Sequence, residues 1–202
     1  VPEIIKNTVV LVMLVSSIGL GLKSCWHNRW VVSPPVTGSP IQEPLPSSMP
    51  FEYKGYTLTP VASFSIKAKL LSSEEYHSDE GAKLSPIDYA LGWDKMSQDE
   101  IIEQLGIAQD HRFFTYRWEK EPPIPPQEII ESATNIHLIP ANPEIEKQLK
   151  AARRGEHVKL MGQLVDVHGD KGFIWKSSRS RQDTGKGACE LMWVESVDIS
   201  RS

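Results

Sequence analysis

The sequence predicts an α+β protein: an N-terminal transmembrane helix, then one mixed domain ending in an antiparallel β-meander of the kind that closes into a small barrel. Three observations lead there. Residues 8–22 (TVVLVMLVSSIGLGL) carry no charge, residues 31–50 hold six prolines, and the last third alternates apolar and polar residues between turn signals. The averages conceal this division. A chain of 202 residues, 40% hydrophobic and 24% charged with a net charge of −4, reads as an ordinary globular domain. Two cysteines are too few for a disulfide framework or a four-cysteine zinc site. The acidic balance argues against a dedicated DNA binder.

The anchor is expected over residues 4–22, with Lys6 near enough to its end to snorkel. This is the short edge of the ~20 residues that a helix needs to span a bilayer core. Trp26, Arg29 and Trp30 follow with Lys23 as an interfacial collar, so residues 1–30 form the anchor segment. A cleaved signal peptide lacks a small-x-small site, and a lipoprotein reading of Leu22-Lys23-Ser24-Cys25 is disfavoured by the lysine. Lys23 and Arg29 lean towards a cytoplasmic C-terminal domain. A single anchor followed by a Pro/Ser linker is instead the layout of domains exported from bacteria. The expectation adopted is a single-pass protein of the inner membrane with a periplasmic domain.

Residues 31–50 (VVSPPVTGSPIQEPLPSSMP) read as an extended, semi-rigid spacer rather than a strand or helix, because proline fixes φ and removes donors. The globular domain is placed at 51–202, with 24 carboxylates to 19 basic side chains.

Within it, Phe64–Leu70 alternates as a half-buried strand and 74–86 reads as a long loop. Asp88–Trp93 fits either a short strand or a helical turn. Ser97 stands three residues before Glu100, the capping-box spacing for a short helix that Gly106 ends. Arg112–Trp118 should be a strand, 127–132 one to two helical turns, and Asn135–Pro140 a buried strand. Asn142 should cap a helix starting at Pro143 and closed by Gly155. His157–Val167, Phe173–Lys176 and Ala188–Ile199 complete the meander.

Several groups invite chemistry. The loop 177–187 carries Arg179, Arg181, Asp183 and Lys186 among serines and glycines, and its backbone N–H groups and guanidinium forks suit a small anion. It lacks the P-loop spacing, and a solvated hairpin loop explains it equally well. Cys189 is the single cysteine beyond residue 50; it fits a small buried hydrophobe or a nucleophile served by His111, His137, His157 or His168. His137 alternates away from Ile136 and Leu138, facing a cavity or a hydrogen-bonded core position. No HExxH or paired-cysteine pattern is present, so neither metal nor cofactor is expected. Trp93, Trp118, Trp175 and Trp193 serve either a core or a stacking surface.

Three runs occur in order: LSPIDYALGW (84–93), NIHLIPA (135–141) and DTGKGACE (183–190). On these the chain resembles a group of uncharacterised bacterial proteins with an N-terminal membrane anchor. The resemblance covers most of 51–200 and implies a bacterial, membrane-associated protein whose three runs meet in space. It brings no activity.

The leading functional expectation is a membrane-tethered binding or accessory module, contacting a protein partner or small anionic ligand through loop 177–187 with Trp93 and His137 nearby. The first alternative is a hydrolase or transferase using Cys189 or His137. The second is an oligonucleotide- or anion-binding β-barrel, although the acidic charge weighs against nucleic acid.

Overall fold

The computed structural model describes residues 30–180 and 187–200. The expected anchor over 4–22, together with Cys25, Arg181, Asp183 and Lys186, lies outside the described residues. Among the described residues, no helix is long and apolar enough to cross a membrane. The elements are, in order, β1 (Ile41–Pro44), β2 (Phe51–Tyr53), β3 (Tyr56–Glu75), β4 (Ile87–Gly92), α1 (Asp99–Ile102), β5 (Ala108–Asp110), β6 (Phe113–Thr115), α2 (Pro126–Glu131), β7 (Ala133–Pro140), α3 (Pro143–Ala151), β8 (His157–His168), β9 (Ile174–Trp175) and β10 (Glu190–Ser200). The protein is therefore α+β, dominated by a mixed sheet with few helices.

Five of the strands close on one another. β3 pairs with β4, β4 with β7 and β8 with both β10 and β3, all antiparallel, while β7 and β10 run parallel. The ring is possible because β3 is 20 residues long and bulged twice. Its register with β8 shifts between Pro60 and Ala62, and its register with β4 shifts between Leu70 and Ser72. Each bulge bends and twists the strand, which lets one strand serve both sides of the ring. Ala62, Phe64, Ile66, Ala68 and Leu70 of β3 point inward with Tyr89, Leu91, Ile136, Leu138, Leu160 and Met192. Each large aliphatic side chain so buried stabilises by roughly 1.5–3 kcal/mol.

Helix α3 packs Ile145 and Leu149 onto this core, and the buried Tyr89 hydroxyl donates to the Leu149 carbonyl. Its start follows local rules: the Asn142 side chain accepts from the Glu144 and Ile145 N–H groups, and Pro143 occupies the first turn. Other expectations meet tertiary competition. Ser97 does not cap α1, whose N-cap is Gln98 with no side-chain bond. The Ser97 hydroxyl is instead buried and bonded to Val36 and Asp94. Arg153 and Arg154 lie past α3 and bind Glu156 and the Leu71 carbonyl.

The expected meander is only half present. β9 pairs with β8 at Val167 and His168, but β10 does not pair with β9; it takes the same edge of β8 further along, over His157–Leu164, and runs beside β7. Burial explains the choice, because Leu191, Met192 and Val194 need the ring core and its outer cluster, whereas β9 is two residues long.

Residues 31–50 are not a free spacer. Ile41–Pro44 form an edge strand against Ala62–Ser65, and Val36 is buried. Upstream of β1, the Val31 N–H donates to the Arg154 carbonyl at 2.8 Å, the Lys69 ammonium to the Ser33 carbonyl at 2.7 Å, and His157 Nε2 pairs with the Pro34 carbonyl at 2.7 Å. A proline-rich segment has few donors but a full set of carbonyl acceptors, and here the barrel supplies the donors. An edge strand also tolerates proline. Gly155 makes the approach possible: its φ is +88°, and a Cβ there would lie 1.9 Å from the Val31 carbonyl oxygen.

Candidate functional site

Asp88 sits in β4 between Ile87 and Tyr89 and is fully buried. Tyr89 belongs to the ring core, so alternation turns Asp88 to the outside of the ring. A buried carboxylate needs partners, and two are present. His137, directly across the β4–β7 pairing, places Nδ1 2.8 Å from Asp88 Oδ2. Arg112 places one guanidinium nitrogen 2.8 Å from Asp88 Oδ1.

Arg112 arrives from the segment between β4 and β7, which lays α1, the β5–β6 hairpin and α2 over the outer face. His111 and Arg112 at the hairpin tip both have positive φ, +49° and +68°. Two successive non-glycine residues in the left-handed region are costly, and such strain persists where surrounding contacts fix it. Here the Arg112 N–H donates to the Tyr76 hydroxyl at 3.0 Å, and its carbonyl accepts from Asn135 Nδ2 at 3.2 Å. The guanidinium forks onto Asp79 at 2.9 and 3.0 Å and lies 3.7 Å over the Tyr76 ring.

Cys189 immediately precedes β10. The parallel register sets Leu191 beside His137, so Cys189, two residues earlier, shares the outer face with Asn135 and His137. Asn135 Nδ2 lies 3.6 Å from the sulfur, and the thiol faces the Arg112 carbonyl at 3.9 Å. Gln109 donates to Asn135 Oδ1 at 2.7 Å, which fixes the amide so that its NH2 faces the sulfur. The thiol is near enough to the His137 imidazole to influence its charge. Trp175 of β9 covers that imidazole with ring centroids 4.9 Å apart.

The electrostatics follow from this geometry. Burial by itself pulls the His137 pKa down, but hydrogen bonds to Asp88 and then Cys189, with their charges, outweigh it and raise it to about 9. Burial raises the Tyr76 phenol to about 12, with the nearby Asp88 charge adding to it. Burial works to raise Asp79 as well, but the Arg112 hydrogen bond and charge, with the Gly81 and Ala82 N–H groups, hold it below the ordinary value.

Of the residues singled out from sequence, the fold brings His137 and Cys189 together. Trp93 belongs to the ring core at 2% exposure instead of a contact surface. Arg179 is exposed and paired with Asp166 at 2.8 Å. Trp175, one of the tryptophans open to a stacking role, covers His137, whereas Asp88, Arg112, Asn135 and Tyr76 are site residues that the sequence reading does not single out. One signal pointed to Asp88: a lone carboxylate inside an apolar strand must have a partner. The described parts of the three sequence runs lie on β4, β7 and the start of β10, three neighbouring strands. Among the described residues, no group of His, Cys, Asp and Glu is arranged to hold a metal ion.

The fold and site define a mixed-sheet protein carrying an Asp–His–Cys constellation on the outer face of a closed ring of strands. No protein-family model, curated sequence or solved structure matches this chain.

Proposed function

We propose that the domain is a thiol-dependent hydrolase or transferase, with Cys189 as nucleophile, His137 as acid–base group and Asp88 as the carboxylate that orients it. One observation carries this reading. Asp88 holds Nδ1 of His137 at 2.8 Å, and Cys189 lies on the same outer face beside that imidazole, the combination of groups that activates a nucleophile. In the first half-reaction the thiolate attacks an acyl carbon and forms a C–S bond while the carbonyl electrons move to oxygen. The Asn135 NH2 at the sulfur is placed to donate to that oxygen. Collapse breaks the bond to the leaving group, which takes a proton from His137. In the second, water or an acceptor attacks the thioester, gives its proton to His137 and breaks the C–S bond, which releases the Cys189 thiolate.

The test is a screen of activated esters, thioesters and amides with the full-length chain. Cys189→Ala should abolish turnover and His137→Gln should lower kcat, while the parent chain should gain the mass of one acyl group on Cys189. A folded Cys189→Ala variant with unchanged turnover removes the proposal.

A ligand-binding or accessory module is the second reading, favoured by the strand order. Numbered along the chain, the ring strands run 1-2-3-5-4, with α3 between the third and fourth. Greek-key barrels of the OB type bind oligonucleotides and oligosaccharides on strands 2 and 3 and the flanking loops, the face that Asp88 and His137 occupy here. Saturable binding to Cys189→Ala with no turnover by the parent chain would favour it. Attachment to the inner membrane through residues 4–22, with the domain on the periplasmic side, also belongs to the proposal. It is supported by the uncharged run and the Trp/Arg collar. Reporter fusions after residue 202 test it.

A further inference from the structure

Cys189 and Asn135 form one wall of a cavity of about 300 Å3 between the β5–β6 hairpin, α2 and the start of β7. Its other walls are Phe113, Phe114, Tyr116, Ile129, Ile130 and Ala133, with two threonines and Ala188. No charged side chain lines it among the described residues, although 24% of the chain is charged. Of the charges around the thiol, His137 and Arg112 are held by Asp88 beneath Trp175, and the buried Glu190 accepts from the Thr134 hydroxyl. Desolvating a substrate charge in such a lining without a partner would be costly. The volume stands at the small end of ligand pockets, which run from about 300 to 1,000 Å3.

We infer that this cavity is the acyl pocket of the Cys189 site, and that it selects neutral, apolar acyl groups the size of a short chain or a single ring. The inference rests on the thiol-nucleophile reading above. The occupant follows from the lining: a group bonded to the carbonyl that Cys189 attacks extends away from the sulfur, and the uncharged cavity opens there. Ile129, fully buried, sets the floor, and Phe113, at 43% exposure, stands at the mouth.

The test uses the full-length Cys25→Ser chain, so that Cys189 is the reacting thiol, with the p-nitrophenyl esters of acetate, butyrate and a carboxylated butyrate. Each methylene seated in an apolar pocket is worth roughly tenfold or more in kcat/KM. Butyrate, two methylenes longer, should therefore exceed acetate by about a hundredfold or more, and the carboxylated ester should lose that gain. Ile130→Trp should erase the butyrate advantage, lowering kcat/KM for butyrate far more than for acetate. Phe113→Ala, at a more exposed position, should weaken the same advantage if the tryptophan variant fails to fold. Cys189-dependent turnover that treats the three esters alike overturns the acyl pocket and leaves the thiol reading standing. No Cys189-dependent turnover of any ester overturns both.

Discussion

Nδ1 of His137 lies 2.8 Å from Oδ2 of Asp88, and both side chains are buried on the outer face of the strand ring. The pairing is set by backbone register, since the two residues face each other across β4 and β7. It fixes the orientation of the imidazole before any ligand is bound, on the face that also carries Cys189.

Thiol reactivity should depend on that pair. In a Cys25→Ser background, His137→Gln should slow alkylation of Cys189 by iodoacetamide at pH 7 by about tenfold or more. Asp88→Asn should slow it as well, because the imidazole loses its orienting acceptor. Mass spectrometry of the adduct against time reads both effects.

Stability should fall at high pH through His137. Its folded pKa, about 9, lies above the ordinary 6.5, so the imidazolium form favours the folded state. That contribution is fully present below about pH 6.5 and is lost as pH rises through about 9. Urea unfolding of the parent chain should show the decline across this window, and His137→Gln should flatten it.

Arg112 and Asp79 should differ sharply on mutation, although they form a bidentate pair. Arg112→Met strips the guanidinium from fully buried Asp88 and should cost about 3–5 kcal/mol. Asp79→Asn touches a carboxylate whose side chain is 40% exposed and should cost less than about 1 kcal/mol. Equal losses would mean that the hairpin, not the buried charge, carries the effect.

The strap upstream of β1 should be sensitive at Gly155. Gly155→Ala combines a φ of +88° with a Cβ against the Val31 carbonyl and should cost well over about 1 kcal/mol. Asn142→Ala, which removes two N-cap bonds from α3, should cost about 1 kcal/mol. Thermal unfolding of the two variants separates a long-range contact from a local one.

What could be read in the sequence was local. The start of α3 followed from Asn142 and Pro143 because a cap joins residues two and three apart, and the Phe64–Leu70 strand followed from its alternation. Cys189 and His137 were recognisable as reactive types, but nothing in their spacing joined them, since 51 residues and a parallel strand pairing lie between. Tertiary structure decided the rest. Ser97 gave up a cap for Val36, β10 left β9 for the ring, and the proline-rich stretch found its donors on β3 and β8. The physical reason is the same in each case. Propensity and capping act within a turn of chain, whereas buried polar groups and apolar faces take whichever partner the closed sheet brings to them. The sequence by itself determined a mixed α+β chain with a chemically capable histidine and cysteine; only the register of β4, β7 and β10 made them neighbours and placed Asp88 behind them.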